Sequence, residues 1–435
     1  MSETRSPAAR LLTDVYRASL QSLSGRALVR AALSKTPVPA LCARLFAMGK
    51  AACAMALGAS EALRVEWSGV IAAHERSTTP RQLSLHLGGH PMPTAASVQA
   101  GQALWDAVEA TRPEDFAIFL VSGGASAIAA LPMAPLTIEA LAATTDALLR
   151  SGASIDAINQ VRKHLTLLGG GRLAARCRAR NGLVLMLSDI ASQDIGALAS
   201  GPTLPDPSTF ADALDIIERH GAQVPRAALD CLTRGRDGLL EETIKPGDAR
   251  LGHLRHRLLA SPSSLADKAC QLMSAQGISA RAVARSFDGD LESLADVFVR
   301  EARAEVSSSE RRPILLVASG EPRLRVPAAH GHGGRMQHLA LWLAQSLAGH
   351  DFCALCAGSD GRDGDTDFAG AIVDGETASH ALSRGIDLAR CLDGFDSSTA
   401  VRALRLGLDR FLSGTNLTDL ALVLIGASKV ERAFL

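Results

Sequence analysis

The sequence predicts an α/β protein of two domains. Three observations carry that expectation. Short, unbroken apolar runs of the kind that form strands buried on both faces recur along the chain. Segments with apolar residues at helical spacing stand between them. Glycine- or aspartate-rich loops follow the runs, at the strand ends where ligands of open α/β sheets collect. The chain has 435 residues, 47% hydrophobic and 21% charged, enough to bury large cores in two or three domains.

Residues 8–33 carry Leu11, Leu12, Val15, Leu20, Leu23, Leu28 and Val29 at helical spacing and predict one or two helices. Leu45–Met48 reads as a short buried strand, followed by Gly49-Lys50 and an alanine-rich helix from Ala51 to Leu63. Further strands are expected at Gly69–Ala73 and Leu83–Leu87, then a helix through Val108 that starts at Thr94 or Ser97. Phe116–Val121 is the plainest strand, six apolar residues that stop at Ser122-Gly123-Gly124-Ala125-Ser126. Helices are expected over Leu136–Arg150 and Ser154–Leu168, and a strand over Leu183–Leu187 ending in Ser188-Asp189. This alternation is that of a parallel layered sheet.

Residues 233–252 are charged and turn-rich, which suggests the connection between domains 1–240 and 250–435, or else a surface excursion. Beyond it, strands are expected at Leu258–Ala260, Ala280–Ala284, Ile314–Ala318, Phe352–Ala357 and Leu420–Ile425. Leu324–Val326 is expected to pair antiparallel across a turn at Gly320–Pro322. Helices are expected at Ser264–Ala275, Leu291–Val306 and Gly334–Leu347.

Lys+Arg and Asp+Glu balance at 45 each, which argues against a global basic field for nucleic acid. No apolar stretch reaches the length of a membrane span, and no apolar signal core follows the N-terminal Met-Ser-Glu-Thr-Arg-Ser-Pro. Eight scattered cysteines show no disulfide framework, so a reduced, cytoplasmic protein is expected.

Five loops have the composition of chemistry. Gly49-Lys50 can bring an ammonium to a phosphate, although GxxxxGK[ST] is absent. The loop of Ser122, Gly123, Gly124 and Ser126 can turn its N–H groups toward an anion, or be a plain turn. Asn159, Arg162 and Lys163, before the triplet Gly169–Gly171, make a local basic cluster or a solvated helix face. Asp189, with Asp194 five residues on, can anchor Mg²⁺, accept a proton or cap a helix. Gly333-Gly334-Arg335 opens a helix, where a guanidinium can grip a phosphate or carboxylate, and Asp360 lies in the aspartate string after the next strand. Cys353 and Cys356 sit three apart on a strand, point to opposite faces and are poor joint ligands. No GxGxxG follows any predicted strand, and there is no GxSxG elbow.

Taken in order, these loops resemble the glycerate 2-kinases of the glycerate kinase/MOFRL family, some of which also carry the name hydroxypyruvate reductase. GKAA stands at Gly49–Ala52, GHPxP at Gly89–Pro93 and SGGxSA at Ser122–Ala127. NxVRKHL stands at Asn159–Leu165, GGRLA at Gly170–Ala174 and SGPT at Ser200–Thr203. Gly333-Gly334-Arg335, Asp360–Gly364 and Gly414-Thr415-Asn416 with Asp419 complete the set. The chain departs from the pattern at Thr94, Ala191-Ser192, Met336, His338 and Ser359.

The resemblance implies a larger Rossmann-like three-layer α/β/α N-terminal domain and a smaller MOFRL-type α/β C-terminal domain. It also implies ATP- and Mg²⁺-dependent phosphorylation of D-glycerate on its 2-hydroxyl, in an interdomain cleft. On that reading Lys50 and Arg335 stabilise the transferring group, and Asp189 is base or metal anchor. Asp194 and Asp360 support the metal, while Ser122–Ser126, Asn159, Arg162, Lys163, Gly333 and Gly334 bind substrate or nucleotide. D-glycerate and ATP are then the partners, with neither nucleic acid nor membrane, and a homodimer is left open. The rival readings are an NAD(P)H-dependent hydroxypyruvate reductase, disfavoured by the missing dinucleotide fingerprint, and a non-catalytic sugar-acid sensor.

Overall fold

The computed structural model describes residues 6–189, 195–306 and 312–430. They form two compact units, one of residues 24–259 and one of 1–23 together with 260–435. We call them the first-sheet and second-sheet units. Among the described residues no helix is long and apolar enough to cross a membrane.

The first sheet comprises β1 (Cys42–Met48), β2 (Glu66–Ala73), β3 (Leu83–Leu87), β4 (Phe116–Ser122), β5 (Asn181–Leu187) and β6 (Leu254–Ala260), in the order β3-β2-β1-β4-β5-β6. Neighbours from β3 to β5 pair parallel. All seven residues of β4 are buried, as an uninterrupted apolar run in a sheet covered on both faces requires. One core layer joins Phe46, Phe119 and Val184 of the strands to Leu104 and Val108 of helix Ala95–Glu109. A second joins helices Ile138–Arg150, Ile155–Leu165, Phe210–Arg219 and Arg226–Arg236. The strand order reverses direction between β1 and β4. At such a switch point, connections leave to opposite faces and a crevice opens at the strand ends.

The second sheet comprises β7 (Ser279–Phe287), β8 (Ile314–Gly320), β9 (Phe352–Gly358), β10 (Phe368–Asp374), β11 (Gly407–Asp409) and β12 (Asp419–Ile425), in the order β11-β10-β9-β12-β8-β7. Only β7 and β8 pair parallel; the pairs of β12 with β8 and β9, and of β10 with β9 and β11, are antiparallel. Because β12 runs against both neighbours, its first residue, Asp419, lies level with Gly320 and Gly358 at the ends of β8 and β9. Helices Leu291–Val306 and Arg335–Ser346 cover the sheet through Phe298, Leu339 and Leu343.

Several expectations need correction. The first-sheet unit extends through β6, which the sequence reading assigned to the second domain, so the division does not fall at 240–250. The charged stretch 233–252 is bound into that unit: the Asp206 amide donates to the Ile244 carbonyl at 2.7 Å and the Ile244 amide to the Gly170 carbonyl at 2.9 Å. The first helix, Pro7–Ser22, belongs to the second-sheet unit instead, where the Tyr16 hydroxyl donates to the Gly358 carbonyl at 2.6 Å. Leu324–Val326 forms no strand; only Arg323 makes an isolated bridge, parallel, to Asp290. Strands β10 and β11 were not foreseen, and the second sheet is mixed, because β12 runs antiparallel to both β8 and β9.

Candidate active site

In the first-sheet unit the parallel register brings the ends of β1, β2, β3, β4 and β5 to one edge. Gly49-Lys50 and Ser122–Ser126 are therefore neighbours at the switch point, and their loops are bonded together. The Lys50 amide donates to the Gly123 carbonyl at 3.0 Å, and the Ala51 amide to the Ser122 hydroxyl at 3.0 Å. That hydroxyl donates in turn to the Met48 carbonyl at 3.3 Å, so the buried Ser122 staples the loops instead of facing a ligand. Gly49 has φ +112°, and a Cβ there would stand 2.4 Å from the Ser122 carbonyl oxygen. Only glycine allows both the conformation and the approach.

Gly124, at φ +81°, lies against His90 and Lys50: a Cβ there would be 3.1 Å from His90 Nε2 and 3.2 Å from Lys50 Cγ. His90 is thus a site residue that spacing alone did not single out, although its GHPxP motif flagged the loop. Its ring packs edge-on to His74, with centroids 5.6 Å apart. Burial, then the charges of Lys50, His74 and Arg162, lower its pKa to about 4, so it is neutral near pH 7. Burial alone lowers Arg162 to about 10. The Ser126 and Ser200 hydroxyls pair at 2.9 Å, and Ser200 donates to Asn159 Oδ1 at 3.4 Å. Lys163 does not join this group. Its ammonium is buried 3.3 Å from Asp206, and Arg172 beside it bonds the Lys163, Thr166 and Glu241 carbonyls. Asp189 follows β5 on the same edge, and Asp194 lies outside the described residues.

The second-sheet unit gathers its groups at the ends of β8 and β9. Arg335 opens helix Arg335–Ser346 and donates from Nε to Asp419 Oδ2 at 2.5 Å and from Nη1 to Glu321 at 3.0 Å. Burial acts to lower its pKa, but Asp419 and Glu321 hold it above the ordinary value. Asp419 is raised by burial and by Asp363 and Glu321, against the pull of Arg335. Asp363 is buried and caps the helix, accepting from the Met336 amide at 3.0 Å and from the Gln337 amide at 2.7 Å. Burial raises it despite these bonds.

Gly334 and Gly333 owe their identity to packing. A Cβ on Gly334 would lie 2.2 Å from the Asp363 carboxyl carbon, and one on Gly333 2.3 Å from Ser397 Oγ. Asp360 accepts from the Arg362 amide at 3.1 Å. At His338, which departs from the family pattern, the ring is buried, stacks on Phe395 at 5.5 Å and has its pKa lowered by burial to about 4. Tyr16, Glu321, Asp363 and Asp419 were not foreseen as site residues. Asp363 and Asp419 stood in quoted motifs, but Tyr16 and Glu321 need the packing and register around β8, β9 and β12 to be found.

Among the described residues no group of three or more His, Cys, Asp or Glu is placed to hold a metal ion. Asp189 and Asp360 belong to different units. A Mg²⁺ that arrives on nucleotide phosphates needs only one or two protein carboxylates, and Asp189, at the same strand edge as Lys50, fits that smaller demand.

The first-sheet order and its strand-end loops define a doubly wound α/β protein with a mixed-sheet second unit. Residues 11–233 match a domain of unknown function, DUF4147, and residues 314–419 match the MOFRL family. The chain is 33% identical to the D-glycerate 2-kinase of Thermotoga maritima, over 96% of this chain and 98% of that protein. It is 31% identical to the glycerate 2-kinase of Pyrococcus horikoshii, over 88% of each. The crystal structure of glycerate kinase from Thermotoga maritima superposes with a TM-score of 0.83, at 31% identity, over 97% of this chain and all of that one. The chain belongs to the glycerate kinase family that joins DUF4147 and MOFRL domains.

Proposed function

We propose that this protein is a glycerate 2-kinase, transferring the terminal phosphoryl group of ATP to the 2-hydroxyl of D-glycerate to give 2-phosphoglycerate. Family membership and the kinases at 31% and 33% identity support glycerate phosphorylation. The observation that carries the reading to residues is the bonded pair of loops at the β1/β4 switch point, which sets Lys50 beside the glycines of Ser122–Ser126. Phosphoryl transfer asks the protein mainly for positioning and for neutralisation of phosphate charge.

Lys50 supplies a point charge for the moving phosphoryl group, and Arg335 a guanidinium fixed by two carboxylates. The reading requires both to act on one phosphoryl group. Asp189 serves as base toward the 2-hydroxyl or holds Mg²⁺, with Asp194 and Asp360 in support. Mg²⁺, when bound, neutralises charge on the phosphates.

The test is Lys50→Ala. We expect ADP release with D-glycerate to fall at least about 10²-fold, in the range typical for loss of a transition-state charge contact. Near-normal turnover would overturn the layout. An assay of NAD(P)H oxidation with hydroxypyruvate tests the reductase reading in the same preparation, and no oxidation is expected.

A further inference from the structure

Two carboxylates hold Arg335, and they hold it from unlike positions. Asp419 accepts from Nε at 2.5 Å, and its side chain is 8% exposed. Glu321 accepts from Nη1 at 3.0 Å, and its side chain is 55% exposed. Nη2 bonds nothing among the described residues. Breaking a buried ion pair is strongly destabilising, because it strands a charge out of water. An exposed pair contributes little and opens readily.

The shape of the guanidinium makes this asymmetry matter. Its donors lie in one plane, and a two-point grip on an anion uses two neighbouring ones. A phosphoryl group gripped at Nη2 therefore needs Nε or Nη1 as well. The first is taken by the buried acid and the second by the exposed one. The backbones of both acids are pinned. Asp419 is paired in the sheet with Gly320 and Gly358, and the Glu321 amide donates to the Phe287 carbonyl at 2.7 Å. Gly320, just before Glu321, has φ +146°, and a Cβ there would stand 2.1 Å from the Phe287 carbonyl oxygen. What can move is the Glu321 side chain, which stands in solvent.

We propose that Asp419 is a positioning residue for Arg335 and that Glu321 is a place-holder, occupying the donor that a phosphoryl oxygen takes when the ligand binds. The proposal rests on the kinase reading, which puts Arg335 on the transferring group, and goes beyond it. It gives two acids on one guanidinium opposite effects on anion affinity. Asp419 keeps the fork aimed. Glu321 neutralises its outer face without a ligand and competes with one. A phosphoryl group carries more negative charge than a single carboxylate and wins that exchange.

The experiment measures the dissociation constant of inorganic phosphate by calorimetric titration, in the wild type and in full-length Glu321→Gln, Glu321→Asp and Asp419→Asn. In Glu321→Gln we expect phosphate to bind about threefold more tightly, the order of an exposed ion pair. Glu321→Asp keeps the charge but is one methylene too short to reach Nη1, and should tighten binding about twofold. Asp419→Asn should weaken it about tenfold, as a misaimed contact does. If the two acids acted through charge alone, Glu321→Gln and Asp419→Asn would both bind phosphate more tightly and Glu321→Asp would match the wild type. Either result would overturn the proposal, and so would unchanged or weaker binding in Glu321→Gln.

Steady-state kinetics gives a second readout. KM for ATP should fall in Glu321→Gln and rise in Asp419→Asn. A purely structural loss lowers the active fraction and leaves KM where it was, and that result would overturn the role given to Asp419. Should Asp419→Asn fail to fold, Glu321→Gln and Glu321→Asp, altered only at an exposed side chain, decide the proposal. If phosphate binding responds in this way yet the wild type releases no ADP from ATP and D-glycerate, the kinase reading fails while the place-holder stands.

Discussion

The two strand-end clusters solve one problem in opposite ways. Both place a cation at a sheet edge beside close-packed glycines, Arg335 after Gly334 in one and Lys50 against Gly124 in the other. In the second-sheet unit Arg335 is held by Asp419 and Glu321, while Asp363 fastens the helix that carries it. In the first-sheet unit the bonds run between the loops themselves, from the Lys50 amide to the Gly123 carbonyl and from the Ala51 amide to the Ser122 hydroxyl. A cation fixed by carboxylates is oriented in advance and its position does not wait for a ligand. A cation carried on a strand-end loop takes its position from the backbone bonds of that loop. The difference separates a guanidinium held through its side chain from an ammonium placed through its loop.

The comparison breaks first at Asp363, if its carboxylate is not what fixes the Arg335 helix. Asp363→Ala removes the acceptor of two helix N–H groups and of the Gln337 side chain, all buried. Lost capping together with unsatisfied buried donors should cost roughly 3 kcal/mol. Urea unfolding would show it as a lower midpoint for the second-sheet unit, and an unchanged midpoint would mean that Arg335 is positioned by packing alone.

Gly49→Ala probes the other edge. At φ +112°, with Ser122 oxygens 2.4 Å from the new Cβ, the substitution is strained and must push the two loops apart. We expect a loss of about 2 kcal/mol, and a drop in turnover larger than that loss explains, because the Lys50 loop moves. Turnover that merely follows the folded fraction would show that the bonded loops do not set the position of Lys50.

The first-sheet edge was legible in the sequence because a parallel sheet is a local pattern. Each apolar run ends in its own loop, and parallel register takes all the loops to one side, so Lys50, Ser122–Ser126 and Asp189 could be grouped without coordinates. The second-sheet edge was not legible in the same way. Asp419 begins a strand, whereas Gly320 and Gly358 end theirs, and only antiparallel pairing brings them level. Strand β10 was hidden by its place directly after the aspartate string, and β11 by its length of three residues. Lys163 misled for a different reason. Adjacent residues on a helix face different ways, so Arg162 and Lys163 point to separate partners, and spacing does not tell which one meets a buried aspartate. The domain division was missed because it depends on where helix Pro7–Ser22 finds a partner for its buried Leu12, Val15 and Tyr16, and nothing local to that helix specifies this.

The smallest effect sharpens the comparison most, because it reads the electrostatics of the first-sheet edge directly. His90 has a folded pKa of about 4 against an ordinary value of 6.5, with burial the main cause and Lys50, His74 and Arg162 adding to it. Between those values the unfolded chain binds the proton and the folded one does not. Stability contributed by the neutral ring is therefore present above pH 6.5 and is lost as the pH falls toward 4. His90→Gln should flatten the fall in stability from pH 6.5 to pH 5 by roughly 1 kcal/mol, after allowance for the ring's partial exposure. The sign follows from the cationic surroundings. On the kinase reading an anionic substrate binds beside Lys50 and offsets that field, so saturating D-glycerate should raise the His90 pKa and shrink the difference between wild type and variant. In the second-sheet unit His338 is lowered to about 4 by burial alone, and the same ligand should leave its titration unmoved. If D-glycerate shifts both histidines equally, or neither, it does not seat its charge at the Lys50 edge and the contrast between the two edges does not hold.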